Sequence, residues 1–179
     1  MTITETFVIF AKHNAESDEK LVSILNRMSN AEREKERGSF YGSISALVRH
    51  ILGGTGFFGH LFTKALSGNA EASRALADIT AIKRPPEGAL DESQWKDLAT
   101  ALAAADKAYI NLTKALRPGD LDAPVELDWY GGKPASVPLA FMLQQLTAHN
   151  VHHRGQISQI LDELKIDNDY SGINVAALT

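Results

Sequence analysis

The chain has no cysteine among its 179 residues. This absence excludes disulfide frameworks, thiolate zinc sites, iron–sulfur clusters and cysteine nucleophiles. Histidine, aspartate and glutamate are therefore the only side chains left that bind a metal strongly, and the sequence contains 6 histidines. The length predicts a single domain over residues 1–179, and the 44% of hydrophobic residues can form a core without covalent cross-links.

Long apolar runs and an excess of basic residues are also missing. No stretch approaches the ~18 apolar residues of a membrane span, and residues 1–5 lack the charged and apolar segments of a secretion signal. The 18 basic and 22 acidic side chains give a net charge of -4, which argues against electrostatic capture of nucleic acid. We therefore expect a cytoplasmic protein that binds neither membranes nor nucleic acids.

Apolar residues at steps of three and four predict two helices in the first half of the chain. The first is expected over residues 4–28 and the second over residues 40–65. Three glycines within residues 53–56 cost the second helix about 1 kcal/mol each relative to alanine, so close backbone packing or a kink should compensate. Residues 70–90 are expected to form a long crossover, whose helical content the pattern leaves open.

The second half of the chain contains the most regular pattern. A capping box at Asp91 and Gln94 opens a third helix that is expected to end at about Leu116. Alternating apolar and polar residues over 125–130, followed by glycines, predict a short β-hairpin. A fourth helix is expected over residues 138–164. The sequence thus predicts an all-α four-helix bundle with a short β-hairpin before the last long helix.

His149 and His153 lie on the apolar stripe of the fourth helix. Their four-residue spacing places the rings about 40° apart around the helix and one turn apart in height, so both can bind one ion. A divalent cation would also satisfy the ring nitrogens of two buried imidazoles. Catalytic zinc sites use three protein ligands and leave one position open, so a third ligand is expected from a neighbouring helix. His50, at the edge of the second helix's apolar face, is the candidate.

The residues alone leave an alternative open, in which these histidines are hydrogen-bonded core residues without a metal. His152 lies about 100° from His153 around the helix, so it should face another surface or orient a ligand. The zincin pattern is absent because Asn150, not glutamate, follows His149. The glycines of residues 53–56 lack the lysine of a phosphate-binding loop, and no Gly-x-Ser-x-Gly motif occurs.

The histidine-rich segment 149–157 and His50 on an earlier helix resemble the DinB/YfiT-like superfamily of metalloenzymes. Residues 161–164, at the end of the last predicted helix, and residues 168–171, which follow it, also fit this resemblance. Asn14 on the first helix and the approach to the second helix extend it over nearly the whole chain.

This resemblance implies a bundle of four helices in up-down-down-up order, with His50, His149 and His153 as the metal ligands. Related members are thiol-dependent transferases or isomerases that use low-molecular-weight thiols such as bacillithiol or mycothiol, and homodimers are common among them. Members often carry aspartate five residues after the first ligand. This chain has Thr55 at that position, which departs from the family pattern.

Three functions are compatible with such a site. In the first, a divalent ion, zinc or nickel, binds the sulfur of a small thiol and lowers its pKa, and the thiolate attacks a small-molecule substrate. The enzymatic alternative is a hydrolase that uses a metal-bound hydroxide. The non-enzymatic alternative is a metal that only clamps two helices of a dimeric bundle. An open coordination position favours the enzymes, and a fourth protein ligand favours the clamp.

Overall fold

The structure, a computed structural model, describes residues 1–128 and 132–178. Its described part is mostly helical, which confirms the all-α prediction. The elements are helices α1 (Ile3–Leu25), α2 (Asn30–Glu34), α3 (Ile44–Ala65), α4 (Ala70–Thr80), α5 (Glu92–Ala115) and α6 (Leu139–Glu163), and strands β1 (Pro124–Leu127) and β2 (Ala135–Pro138). Trp129, Tyr130 and Gly131 of the predicted hairpin lie outside the described residues.

Side-chain caps fix where the long helices begin. The predicted capping box at α5 is confirmed, because Asp91 Oδ1 accepts from the Gln94 backbone N–H and Gln94 Oε1 accepts from the Asp91 backbone N–H. Thr2 and Glu5 form the same motif before α1. Ser43 accepts from the Ala46 backbone N–H before α3. The four long helices therefore begin and end within three residues of the predicted bounds, apart from the start of α3.

The long crossover between α3 and α5 contains a helix of its own. Asn69 caps α4 by accepting from the Ala72 backbone N–H, and its amide also donates to the Ala115 carbonyl at the end of α5. The buried face of α4 packs against both α3 and α5. The crossover thus consists of a short packed helix, α4, followed by a loop that leads to α5.

Pairs of residues in contact give the relative directions of the helices. Between α1 and α5, Asn14 donates to Asp106, and Asn26 accepts from the Trp95 indole N–H. The residue number on α5 falls as the number on α1 rises, so these two helices run antiparallel.

Helix α6 runs parallel to α1. Asn150 donates to Asn14, and Arg154 donates to Asp18 one turn further along both helices. Because both numbers rise together, α1 and α6 point the same way.

Helix α3 runs against α6. The ring of Tyr41, just before α3, lies 5.3 Å from the His153 ring, and the Phe58 ring lies 6.1 Å from the His149 ring. In these contacting pairs the residue number on α6 falls as the residue number at α3 rises, so the two helices run antiparallel. The long helices α1, α3, α5 and α6 are therefore up, down, down and up, as the family resemblance implied.

A polar layer divides the interior of the bundle into two apolar clusters. One cluster contains Phe7, Phe62 and the buried apolar side chains at the start of α6. The other contains Leu21, Ile51 and the buried apolar side chains near the end of α6. Buried polar and charged side chains from α1, α5 and α6 lie between them: Asn14, Asp18, Asp106, Asn150 and Arg154. No helix within the described ranges is long and apolar enough to cross a membrane.

Close packing explains all the glycines of α3 except Gly56, and none of them marks a kink. Helix α3 runs unbroken through them. A Cβ at Gly54 would collide with the His149 ring, and one at Gly59 would lie 2.8 Å from Ile79 Cγ2 on α4. Gly56 has no heavy atom near its missing Cβ, so packing does not account for that position.

Substituting Gly59 with alanine tests the close contact between α3 and α4. Ile79 is buried and β-branched, so it cannot turn away, and Gly59→Ala should lower the free energy of unfolding by about 1–3 kcal/mol. Gly56→Ala, on the same helix but facing open space, should raise it by up to about 1 kcal/mol. Urea denaturation measures both. Equal stabilisation by the two substitutions would contradict this packing.

Candidate metal centre

The three histidines singled out in the sequence meet between α3 and α6. One ring nitrogen from each of His50, His149 and His153 lies within 4.8 Å of the corresponding nitrogen of the other two. The His50 ring centroid is 4.8 Å from that of His149 and 4.4 Å from that of His153, and the two α6 rings are 4.5 Å apart. Two distant stretches of chain thus bring three imidazoles into one small volume.

Amide groups on α6 orient the two helix-six histidines. His149 Nδ1 lies 3.2 Å from Asn150 Oδ1, and His153 Nδ1 lies 2.7 Å from Gln156 Oε1. An amide oxygen only accepts, so each Nδ1 carries the hydrogen and each Nε2 carries a free lone pair. Such outer partners fix the tautomer of metal-binding histidines. Both α6 imidazoles are therefore held in the form that binds a metal through Nε2.

His50 completes the set from the other side. Its Nε2 lies 2.9 Å from His149 Nε2 and 2.8 Å from the Tyr41 hydroxyl, and the Tyr41 ring stacks on it at 4.1 Å between centroids. Two imidazole nitrogens this close need a proton or a cation between them. Three imidazole nitrogens suit a divalent ion such as zinc, so the donor set fits a metal.

The pKa values of these histidines favour the neutral, metal-binding form. Burial, the neighbouring charges of His153 and His149, and that of Arg84 lower the pKa of His50 to about 4. Burial also lowers the pKa of His149 and of His153, although the hydrogen bonds to Asn150 and Gln156 oppose the shift. At neutral pH the three rings are therefore uncharged, as metal binding requires.

The three histidines form part of the wall of an open cavity of about 610 Å³. Most of the remaining wall is apolar or aromatic, and no aspartate, glutamate, serine, threonine or lysine of the described residues lines it. The polar groups besides the histidines are Tyr41, Gln145 and Arg84. Phe57 and Phe141 are half-exposed at its walls. The cavity can thus hold a small molecule directly beside the imidazoles.

Two glycines of α3 make room for this arrangement. The His149 ring lies against the backbone of Gly54, where any side chain would collide with it. The Arg84 guanidinium lies in the same way against Gly53. The glycine cluster seen in the sequence therefore lets an imidazole and a guanidinium approach the helix closely.

The other three histidines are not part of the three-histidine cluster, although the His152 ring packs edge-on against the His153 ring at 4.9 Å between centroids. His152 is exposed and lines a separate cavity, as its angle around α6 predicted. His60 is exposed on α3, and His13 is buried on α1. Thr55 is buried, and its hydroxyl faces the Ile51 carbonyl at 3.5 Å. Thr55 is not among the residues that line the cavity.

Several groups around the site were not predicted from the sequence. Gln156 lies three residues after His153 on the same helix, so helical spacing alone would have identified it as a partner. Tyr41 comes from the loop before α3, and Arg84 comes from the loop between α4 and α5. No periodicity indicates where loop residues lie, so their positions required the structure.

Alanine substitution of two adjacent histidines tests the ligand assignment. His153→Ala should lower the zinc affinity by more than about 100-fold, because losing even an outer partner of a ligand costs 10–100-fold. His152→Ala should retain the metal, since that ring contacts His153 but is not one of the three whose nitrogens converge. Elemental analysis of protein purified without a metal-affinity tag, followed by zinc titration, measures both. Equal metal content in the two variants would contradict the assignment.

Comparison with known proteins agrees with this geometry. A family model described as the DinB family matches residues 2–164, which include all three histidines. No curated protein matches the chain. Because the match covers far more than half of the sequence and spans the helices that bring the three imidazoles together, the chain belongs to the DinB family.

Proposed function

We propose that this DinB-family chain is a metal-dependent enzyme that activates a low-molecular-weight thiol for transfer to, or isomerisation of, a small substrate. The observation that carries the proposal is the convergence of His50, His149 and His153 at the wall of an open cavity. Zinc or nickel suits three imidazole ligands. A divalent ion held there would lower the pKa of a bound thiol, so that thiolate forms near neutral pH.

The composition of the cavity supports a thiol as the nucleophile. The chain has no cysteine, and the described lining holds no serine, threonine or lysine. The described lining therefore offers no thiol, aliphatic hydroxyl or amine as a nucleophile, which favours an attacking group that comes from a bound molecule. A small thiol is a good candidate because sulfur binds zinc well.

The same lining argues against the two alternatives. A hydrolase needs a base for its water, and no carboxylate of the described residues lines the cavity. A structural clamp closes its coordination shell with protein ligands, yet only three histidines of the described chain converge here. The cavity beside them leaves space for a bound molecule.

Four side chains of the cavity wall could contact the reactants. Arg84 is exposed at the cavity wall, and no residue of the described chain forms a hydrogen bond or an ion pair with it. Its guanidinium is suited to a carboxylate on the thiol or on the substrate. The Tyr41 hydroxyl can donate a hydrogen bond beside His50. The apolar walls at Phe57 and Phe141 would exclude water around the reacting groups.

A thiol screen tests the proposed activity. Zinc-loaded protein is mixed with 1-chloro-2,4-dinitrobenzene and a set of thiols, and the dinitrophenyl thioether is followed by its absorbance. With at least one thiol, the thioether should form faster in the presence of the wild type than in the presence of the metal-free His149→Ala variant. Thiols that carry a carboxylate should have a KM lower by about 10-fold than their neutral esters, because Arg84 contributes one charged hydrogen bond.

The His149→Ala variant serves as the matched control, since it keeps the cavity and loses one imidazole. If no thiol reacts faster with the wild type than with this variant, the thiol-transfer proposal is wrong. If esters and acids have equal KM values, Arg84 does not bind the carboxylate.

A further inference from the structure

A chain of amide groups connects the metal centre to the polar layer of the bundle. The Asn14 amide nitrogen donates to Asp106 Oδ1 at 2.8 Å and to Asp18 Oδ2 at 3.1 Å. Its oxygen accepts from Asn150 Nδ2 at 3.0 Å and from Arg154 Nη1 at 2.6 Å. All five side chains are more than nine-tenths buried. Asn14 thus uses both ends of its amide inside the protein, where water cannot substitute for a partner.

The partners of Asn14 permit only one orientation of its amide. Arginine has donors only, so the Asn14 oxygen must face Arg154. The oxygens of Asp18 and Asp106 accept, so the nitrogen must face them. Burial and the charge of Asp18 raise the pKa of Asp106 well above its usual range, and a carboxyl in either protonation state has an oxygen that accepts a hydrogen bond. Turning the amide over would place like groups against each other on both sides.

This orientation determines that of the next amide. The Asn14 oxygen requires a donor from Asn150, so Asn150 must present its nitrogen to α1. The Asn150 oxygen then faces His149 Nδ1, at 3.2 Å. An oxygen there holds the hydrogen on Nδ1 and leaves the lone pair on Nε2, which is the nitrogen turned toward His50.

We propose that Asn14 is a positioning residue that fixes the metal-binding tautomer of His149 through Asn150, without touching the metal site itself. The inference rests on the metal site proposed above. It assigns a function to the polar layer, whose replacement by apolar side chains would otherwise be neutral or stabilising. The distant carboxyls and Arg154 set the direction of the amides, and the amides set the position of one proton on His149.

The tautomer of His149 can be read directly in metal-free protein by ¹⁵N NMR of labelled histidine, because protonated and lone-pair ring nitrogens differ strongly in chemical shift. The wild type should show Nδ1–H at His149. Asn14→Leu removes the acceptor for Asn150 and frees its amide to turn, so a large share of Nε2–H should appear. Asn14→Asp gives up the hydrogen bonds to Asp18 and Asp106 but keeps an acceptor toward Asn150 and Arg154, so the wild-type tautomer should persist in the folded variant.

Ser17→Ala is the matched control. Ser17 is also buried on α1, and its hydroxyl donates to the Tyr170 carbonyl outside the chain of amides. It should leave the His149 tautomer unchanged. Zinc titration of the same proteins should show affinity lowered by about 10–100-fold in Asn14→Leu only. If Asn14→Leu does not fold, Asn14→Ala takes its place with the same expected result.

An Nε2–H signal at His149 in the wild type overturns the proposal, and so does an unchanged tautomer in folded Asn14→Leu or Asn14→Ala. The NMR result is independent of metal binding. If the tautomer responds as expected but zinc does not bind the wild type, the positioning role stands and the proposed metal function fails.

Discussion

The close approach of α6 to α3 at Gly54 is the constraint on which the site depends. The His149 ring occupies the space where any other residue would carry a Cβ, and this contact brings its Nε2 to 2.9 Å from that of His50. The antiparallel direction of the two helices then places His153, one turn further along α6, against the same His50 ring. Glycine at position 54 makes α3 less stable than alanine would, but it lets the His149 ring of α6 approach the backbone of α3.

The polar layer serves the same site at a similar cost to stability. Asn14, Asp18, Asp106, Asn150 and Arg154 occupy the middle of the bundle, where apolar residues would pack the two clusters into one continuous core. Such layers contribute little net stability, but they specify one arrangement of their groups. In this protein the arrangement ends at a ring nitrogen of His149 in the three-histidine cluster. Local stability is thus exchanged for a defined donor set, as is common at functional sites.

The sequence predicted the parts of this protein that follow helical periodicity. The stripe on α6 identified His149 and His153, and the same reasoning on the second helix singled out His50. It did not resolve α4, which is short, nor the start of α3. Periodicity also carries no information on loop residues such as Arg84, or on which end of a buried amide faces which neighbour. Those depend on contacts between elements far apart in the chain.

X-ray absorption at the zinc edge tests the central claim most directly, on protein purified without an affinity tag and loaded with one equivalent of zinc. The account predicts three imidazole nitrogens at about 2.0–2.1 Å with one further light ligand, and replacement of that ligand by a sulfur at about 2.3 Å when an accepted thiol is added. A shell with fewer than three imidazoles, or a closed shell that no thiol enters, would contradict the account.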